Sequence, residues 1–312
     1  MLQPVIITGC RRSGTTLLKE MLAQHPDLLV HPKEPQFILE GYDRFGDDIR
    51  NVPGAVTYLT RHPYCPDNVE STRFGAAVQG RSSMTYLEFI HQYLELWGED
   101  ALLMRRPVLK DPAFVYSLDW INCALPGVQI IHVVRDPRGN ISSQLARWNS
   151  ARLWECLRRW RSAVHAGRRW GASNPDSYFE LHYEELVIHP EASLRGVCLF
   201  LHIPYKEGML QFDLHESQYS PGGENNPVVY HAADPSRLEV WRDQLDDVEV
   251  AIIEKQTRGE ADCWAFPTTI TSIPFWQLTS RTLAEQIFDA ILRSGRWVKA
   301  TLRHLRWQIE YR

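Results

Sequence analysis

An α/β fold, with a mainly parallel central sheet flanked by helices, is predicted by three features of the chain. Val5-Ile6-Ile7-Thr8-Gly9 runs through a tight polar turn into a helix that opens with Leu17-Leu18. Gln129-Ile130-Ile131-His132-Val133-Val134 repeats that order, running through a charged turn into Ile141. Two more short apolar runs, Pro107-Val108-Leu109 and Tyr178-Phe179-Glu180-Leu181-His182-Tyr183, are each followed by charged residues and a helical pattern. Short apolar runs without strict alternation read as strands buried on both faces, as in helix-covered parallel sheets.

The first turn carries the most chemistry. Gly9-Cys10-Arg11-Arg12-Ser13-Gly14-Thr15-Thr16 joins the strand to Leu17-Leu18-Lys19-Glu20-Met21-Leu22, a helix expected to reach about His25-Pro26. Strand, glycine-rich loop and helix in this order form a P-loop, which makes the class a P-loop-containing nucleotide-binding fold. Backbone N–H groups line such a loop, the helix adds the positive end of its dipole, and a phosphate fits there. The two glycines have Walker A spacing, but Thr15 stands where that motif has Lys. The cations, Arg11 and Arg12, come before the second glycine instead. The loop therefore suits a phosphate and is poorly built for nucleoside triphosphate hydrolysis.

Composition sets the outer bounds. With 312 residues and 44% hydrophobic content the chain has ample material for a large core. A net charge of −4 gives no global reason to expect nucleic acid. Cysteines 10, 65, 123, 156, 198 and 263 are scattered without metal-ligand spacing, and read as free thiols of a reducing compartment. The first strand starts at Val5, which leaves no room for a targeting segment, and no run suits a membrane span, so a cytoplasmic location is expected.

After the first helix, Pro32 and Pro35 hold a segment extended, with Glu34 between them. A carboxylate this close to a phosphate loop is a base, a metal ligand or a salt-bridge partner, or else a surface group paired with Lys33. Residues 39–83 are rich in turn residues and read as loop, either covering a cleft or inserted at the surface. Met84 to Trp97 reads as a core-facing helix, with Leu87, Ile90, Leu94 and Trp97 along one stripe. Lys110 ends the strand run at 107–112, where ligands bind in open α/β sheets; the competing reading is a solvated loop Lys. A helix follows over 113–125. Arg135 ends the 129–134 run, and Arg135-Asp136-Pro137-Arg138-Gly139-Asn140 reads as a turn before a helix from Ile141 to Arg147. Ser143 and Arg147 share one face of that helix. With Arg135 they suit a second phosphate; a salt bridge from Arg135 to Asp136 is the plain alternative.

Residues 148–171 read as a helix with a solvated arginine face, and 190–202 as another. Residues 213–236, with Pro221-Gly222-Gly223, read as a mobile lid. Leu238 to Thr257 is expected helical with Trp241 and Leu245 buried. A linker near residues 268–272 sets off a basic helical C-terminal extension. The expected domains are 1–266 and 267–312. The stretch 278–312 suits docking, dimerisation or peripheral contact with an anionic membrane.

These residues together resemble the PAPS-dependent sulfotransferases, which use 3′-phosphoadenosine-5′-phosphosulfate, over roughly residues 4–245. Arg12-Ser13-Gly14-Thr15-Thr16 is similar to the family's 5′-phosphosulfate loop, and Arg135 with Ser143 to its 3′-phosphate motif. His25-Pro26 followed by Glu34, and Lys110-Asp111-Pro112, are similar to the tyrosylprotein branch, while Lys33-Glu34-Pro35-Gln36-Phe37 also looks like glycan sulfotransferases of the heparan type.

The resemblance implies in-line sulfuryl transfer. Glu34 is then the catalytic base, and Arg12 and Lys110 stabilise the transition state. Arg11, Arg12, Ser13, Gly14, Thr15 and Thr16 hold the 5′-phosphosulfate. Arg135, Ser143, Arg147 and Tyr183 complete the cofactor site. Ser236, Arg237 and Arg242 are candidates for lid residues that the family carries. PAPS is the implied cofactor, PAP its product, and no metal is required. The implied partner is a hydroxyl-bearing acceptor (sugar, tyrosine, lipid or natural product) and not a nucleic acid. Eukaryotic members of these branches are Golgi membrane proteins; a chain without an anchor is more naturally bacterial. A P-loop small-molecule kinase, which would need ATP and Mg²⁺, and a non-catalytic binding protein are the competing functions.

Overall fold

The computed structural model describes residues 3–99, 101, 105–148, 152–211, 234–261 and 269. In chain order its elements are β1 (Val5–Gly9), α1 (Thr15–Ala23), β2 (Leu28–Val30), α2 (Phe37–Phe45), β3 (Asp48–Ile49), α3 (Val52–Thr60) and α4 (Ser71–Ala77). Then come β4 (Met84–Thr85), α5 (Tyr86–Gly98), β5 (Arg106–Lys110), α6 (Leu118–Ala124), β6 (Gln129–Val134), α7 (Pro137–Arg147) and α8 (Leu153–Ser173). The last are β7 (Tyr178–His182), α9 (Tyr183–Ile188), α10 (Pro190–Leu201), α11 (Trp241–Gln244) and α12 (Asp247–Ala261). They group into two compact units. The first holds the described residues up to Arg135 and those from Ala163 to Pro235; the second holds Asp136–Ser162 and the described residues from Ser236 on.

The first unit is built on a five-stranded sheet of order β2-β5-β1-β6-β7, with every neighbouring pair parallel. β1 lies in the middle, with Ile7 opposite Lys110 on one side and Gly9 opposite Val133 on the other. Val5, Ile6, Ile7, Ile130 and Ile131 are fully buried, as apolar runs covered on both faces must be. Because all five strands run the same way, their carboxyl ends share one edge. The residues following β1, β2, β5 and β6 emerge there.

The structure corrects the reading of residues 39–83. They form α2, α3 and α4, and Phe37, Val52, Leu59 and Phe74 pack into the same core as Phe89 and Trp97. The turn-forming residues here are helix starters and close contacts. Asn51 caps α3, accepting from the Gly54 N–H at 3.0 Å, with Pro53 in the first turn. Gly41 lies under the Tyr86 ring, where a Cβ would come within 2.3 Å of the hydroxyl. The helix expected from Met84 begins at Tyr86 with a capping box from Thr85 and Glu88; of its expected stripe Ile90, Leu94 and Trp97 are buried and Leu87 only partly, while Tyr86, Phe89 and Tyr93 are buried in addition. The single helix expected over 113–125 is a 3₁₀ turn (Pro112–Tyr116) followed by α6.

In the second unit, α7 starts at Pro137 rather than Ile141. Asp136 caps it, accepting from the Arg138 N–H at 2.8 Å, and Pro137 takes the first helical position. The charged stretch read as a turn is therefore the cap and first turn of the helix. The Asp136 carboxylate is engaged by Arg138 at 2.6 Å, and Arg138 also pairs with Glu254 at 2.9 Å. Ile141, Leu157, Trp241, Leu245 and Ile253 form this unit's core, so Trp241 and Leu245 are buried as expected. Most of the expected lid and nearly all of the C-terminal extension, with the boundary at 266–267, lie outside the described residues. Among the described residues no helix is long and apolar enough to cross a membrane.

Candidate active site

The loop after β1 is shaped by its backbone. Gly9 has φ +151°, and a Cβ there would lie 2.3 Å from the Val133 carbonyl oxygen, so the strand ends against β6 with no room for a side chain. Arg12 takes φ 71°, the left-handed region that L residues adopt at a cost of about 1–2 kcal/mol. Gly14, at φ +91°, occupies the N-cap of α1, and a Cβ would sit 2.2 Å from the Tyr183 ring. The first turn of α1 holds no acidic residue, so nothing there opposes an anion at its N-terminus.

Tyr183 and Arg135 brace this loop from the side. The Arg135 guanidinium lies 4.5 Å from the Tyr183 ring centroid and donates to the Arg12 carbonyl at 3.1 Å. Arg12, Gly14, Arg135 and Tyr183, drawn from three separate parts of the sequence, are thus one assembly. The cramped glycine, the open helix end and the surrounding cations fit the phosphosulfate end of PAPS.

A second assembly meets the first at α1. Lys110 is 1% exposed, far from the solvated loop Lys of the plain reading. Its ammonium donates to Thr16 Oγ1 at 3.0 Å and to Glu34 Oε1. Gln36 donates to the other Glu34 oxygen at 3.1 Å. Lys33 does not neutralise Glu34. It reaches the Cys65 carbonyl at 3.1 Å and the Asp67 carboxylate at 3.6 Å. Burial alone would push the Glu34 carboxyl up, but the Lys110 ammonium, with the Gln36 amide and the Arg11 charge, outweighs burial and holds it below the usual range. Glu34 is therefore an ionised acceptor, tethered to a buried cation.

Other residues of this region are not evident from sequence pattern. Asp111 is 1% exposed, accepts from the Ala113 N–H at 2.9 Å with one oxygen, and has no hydrogen-bond partner for the other. Burial first, then the neighbouring Glu34 charge, push its carboxyl up to about 6. Lys19, 4% exposed on α1, donates to the Pro32 carbonyl at 3.1 Å. His31 and Tyr93, both fully buried, lie behind Glu34. The Asp111-Pro112 cap signal and the His31-Pro32 pair just before Glu34 are the only local hints of these roles. Ser143 and Arg147 lie on α7, in the second unit, on one helix face as expected.

A family model described as "Sulfotransferase family" matches residues 4–207. Among curated proteins, protein-tyrosine sulfotransferase 1 of Danio rerio is 26% identical over 217 residues, 67% of this chain and 56% of that protein. The protein-tyrosine sulfotransferase of Drosophila melanogaster is 25% identical over 218 residues, 67% of this chain and 40% of that one. The chain thus spans about half the length of the curated relatives it matches. Among solved structures, the sulfotransferase domain of the Synechococcus PCC 7002 olefin synthase aligns with TM-score 0.63 at 23% identity, covering 86% of this chain and 98% of that one. The sulfotransferase domain from the curacin biosynthetic pathway aligns with TM-score 0.62 at 16% identity, covering 86% and 99%. The fold, the loop geometry and the family match agree: this chain belongs to the sulfotransferase family.

Proposed function

We propose that this chain moves the sulfuryl group of PAPS to an acceptor hydroxyl, with Glu34 as general base. The observation that carries the reading is the buried Lys110, bonded at once to Thr16 in the loop helix and to the Glu34 carboxylate. It ties a proton acceptor to the rim of an anion-binding loop. PAPS, when bound, supplies an activated sulfuryl group on a phosphate leaving group.

The protein's part follows from its residues. The backbone N–H groups of residues 13–16 hold the 5′-phosphate. Glu34 accepts the proton of the acceptor hydroxyl. Lys110 and Arg12 are assigned to the negative charge that grows as the acceptor attacks, and such fixed charges act most strongly where water is excluded. Arg135 is assigned to the 3′-phosphate, which separates PAPS from ATP. For Ser143 and Arg147 the same assignment rests on the sequence motif. The curated relatives make a tyrosine hydroxyl the first acceptor to test. A reducing compartment such as the cytoplasm suits the thiols of Cys10, Cys65, Cys156 and Cys198.

The test has three parts. Glu34→Ala should leave PAP affinity within about twofold and cut transfer from ³⁵S-labelled PAPS to an acidic tyrosine peptide by ~10²-fold or more. Unchanged turnover would remove Glu34 from the role of base. PAP in EDTA should raise the melting temperature and ATP should not; stabilisation by ATP with Mg²⁺ alone would instead favour a kinase. Arg135→Ala should weaken PAP more than AMP, which lacks the 3′-phosphate.

A further inference from the structure

The segment that carries Glu34 has no secondary structure to hold it. Residues 31–36 lie between β2 and α2, and Pro32 and Pro35 have no N–H to offer. Backbone bonds hold its ends, from the His31 N–H to the Val108 carbonyl at 2.8 Å and from the Gln36 and Ile38 N–H groups to the Glu34 and Pro35 carbonyls at 2.8 and 3.0 Å, while side chains hold the carbonyls of Pro32 and Lys33. Lys19 donates to the Pro32 carbonyl at 3.1 Å. The last side-chain contact to a carbonyl before Glu34 comes from His31, whose Nδ1 lies 2.6 Å from the Lys33 carbonyl oxygen, one peptide before the base. Its Nε2 lies 2.6 Å from the Tyr93 hydroxyl.

Nδ1 also faces the Lys33 N–H, at the longer distance of 3.3 Å. The shorter contact decides the tautomer: a carbonyl can only accept, so Nδ1 carries the proton and donates. Nε2 then has a lone pair, and the Tyr93 O–H donates to it. Burial pushes the imidazole down to about 3; the bond to the Lys33 carbonyl acts against it, the Lys19 and Lys33 charges act with it, and the ring stays neutral. It is packed against Trp97, ring centroids 4.9 Å apart, and fully enclosed.

We propose that His31 is a positioning residue for Glu34: locked in one tautomer by Tyr93, it grips the Lys33 carbonyl and so sets where the base sits against Lys110. The inference rests on Glu34 being the base, but its test does not need turnover to succeed.

The two ring nitrogens can be replaced one at a time. An Asn side-chain amide places its NH₂ near the Nδ1 position, and a Gln amide places its own near Nε2. His31→Asn therefore keeps the donor to Lys33, and His31→Gln loses it. The readout is the titration of the Glu34 carboxyl by ¹³C NMR, assigned by its loss in Glu34→Gln. The groups that act on Glu34 there are Lys110, Gln36, Arg11, Lys19, Asp111 and Tyr64. The wild-type signal should titrate below the usual carboxylate range. In His31→Gln it should move up, as the carboxylate withdraws from Lys110, and in His31→Asn it should stay low. An unmoved signal in His31→Gln, or equal movement in both variants, overturns the proposal.

Turnover of the tyrosine peptide gives a second readout. His31→Gln should lower kcat ~10- to 100-fold at unchanged PAP affinity. In a Glu34→Ala background it should cost nothing more, whereas a merely structural role would cost the same in both backgrounds. If Glu34→Ala alone leaves turnover intact, the base assignment fails while the titration still decides the positioning role. Should His31→Gln fail to fold, Tyr93→Phe removes one oxygen and frees the tautomer. It should shift the Glu34 titration in the same direction by a smaller amount, and no shift would overturn the proposal.

Discussion

The loop at residues 9–16 and the segment at residues 31–36 each hold one functional group still, and they do it by different means. The loop relies on backbone conformation: Gly9 pressed against Val133, Arg12 and Gly14 at positive φ, and the dipole of α1 behind them. The segment relies mainly on side chains: Lys19 from α1 and its own His31 for two carbonyls, and its own Gln36 with Lys110 from β5 for the carboxylate, beside the bond of the His31 N–H to the Val108 carbonyl. The loop's own conformation depends on residue types within a few positions of one another, although Val133, Arg135 and Tyr183 pack against it from far along the chain. A side-chain device depends on partners anywhere in the chain, here up to 76 residues away. Damage to the first should therefore appear in ligand affinity, and damage to the second in turnover.

The sharpest way to break that contrast is Lys110→Met. It should cut turnover ~10²- to 10³-fold, the usual scale for removing one fixed charge from a transition state. PAP affinity should change much less. Burial would then dominate at Glu34, and its carboxyl should titrate above its wild-type position. If PAP affinity fell as far as turnover, Lys110 would belong to the loop rather than to the base.

Gly14→Ala probes the loop. The new Cβ meets the Tyr183 ring at 2.2 Å, in a backbone region where alanine is strained. PAP affinity, by calorimetry, should fall ~10- to 100-fold. Adding Tyr183→Ala should return part of the loss by removing the clash, and a fully additive double variant would show that ring contact is irrelevant.

Asp111→Asn separates stability from chemistry. The folded carboxyl titrates at about 6 against an ordinary 3.8, so the folded state holds its proton more tightly than the unfolded state does. Stability then falls as pH rises from 3.8 to 6, by up to about 3 kcal/mol. Asparagine keeps the cap on Ala113 and carries no charge. The variant should melt a few degrees higher than wild type at pH 7.5, and the difference should close toward pH 4. An equal gain at both values would assign the effect to packing.

The smallest effect is expected for Tyr183→Phe. The ring, not the hydroxyl, contacts Gly14 and Arg135, so PAP affinity should stay within about twofold. A tenfold loss would show that the hydroxyl itself reaches the ligand.

How legible each region was follows from the same contrast. Gly9, Gly14 and the helix after them were readable because spacing along the chain is itself the device. The same holds for β6, whose apolar run from Gln129 to Val134 needs only its neighbours to form. Residues 39–83 were misread because Asn51, Pro53 and Gly41 look like breakers when taken singly. Only the cap on Gly54 and the Tyr86 contact show them to be parts of helices. Asp136-Pro137 was misread for the same reason, since a cap followed by a first-turn proline shares its residues with a turn.

The sequence by itself determined the parallel α/β class and the strand, glycine-spaced loop and helix at its start, because short-range periodicity and glycine placement depend on the local chain alone. Only the tertiary structure decided that Lys110 is buried, that it pairs with Glu34 where Lys33 lay closer in sequence, and that the His31 ring meets the Lys33 carbonyl beside Glu34. Those outcomes depend on which strand ends share an edge of the sheet. Strand order is set by packing between residues far apart in the chain, and no local pattern encodes it.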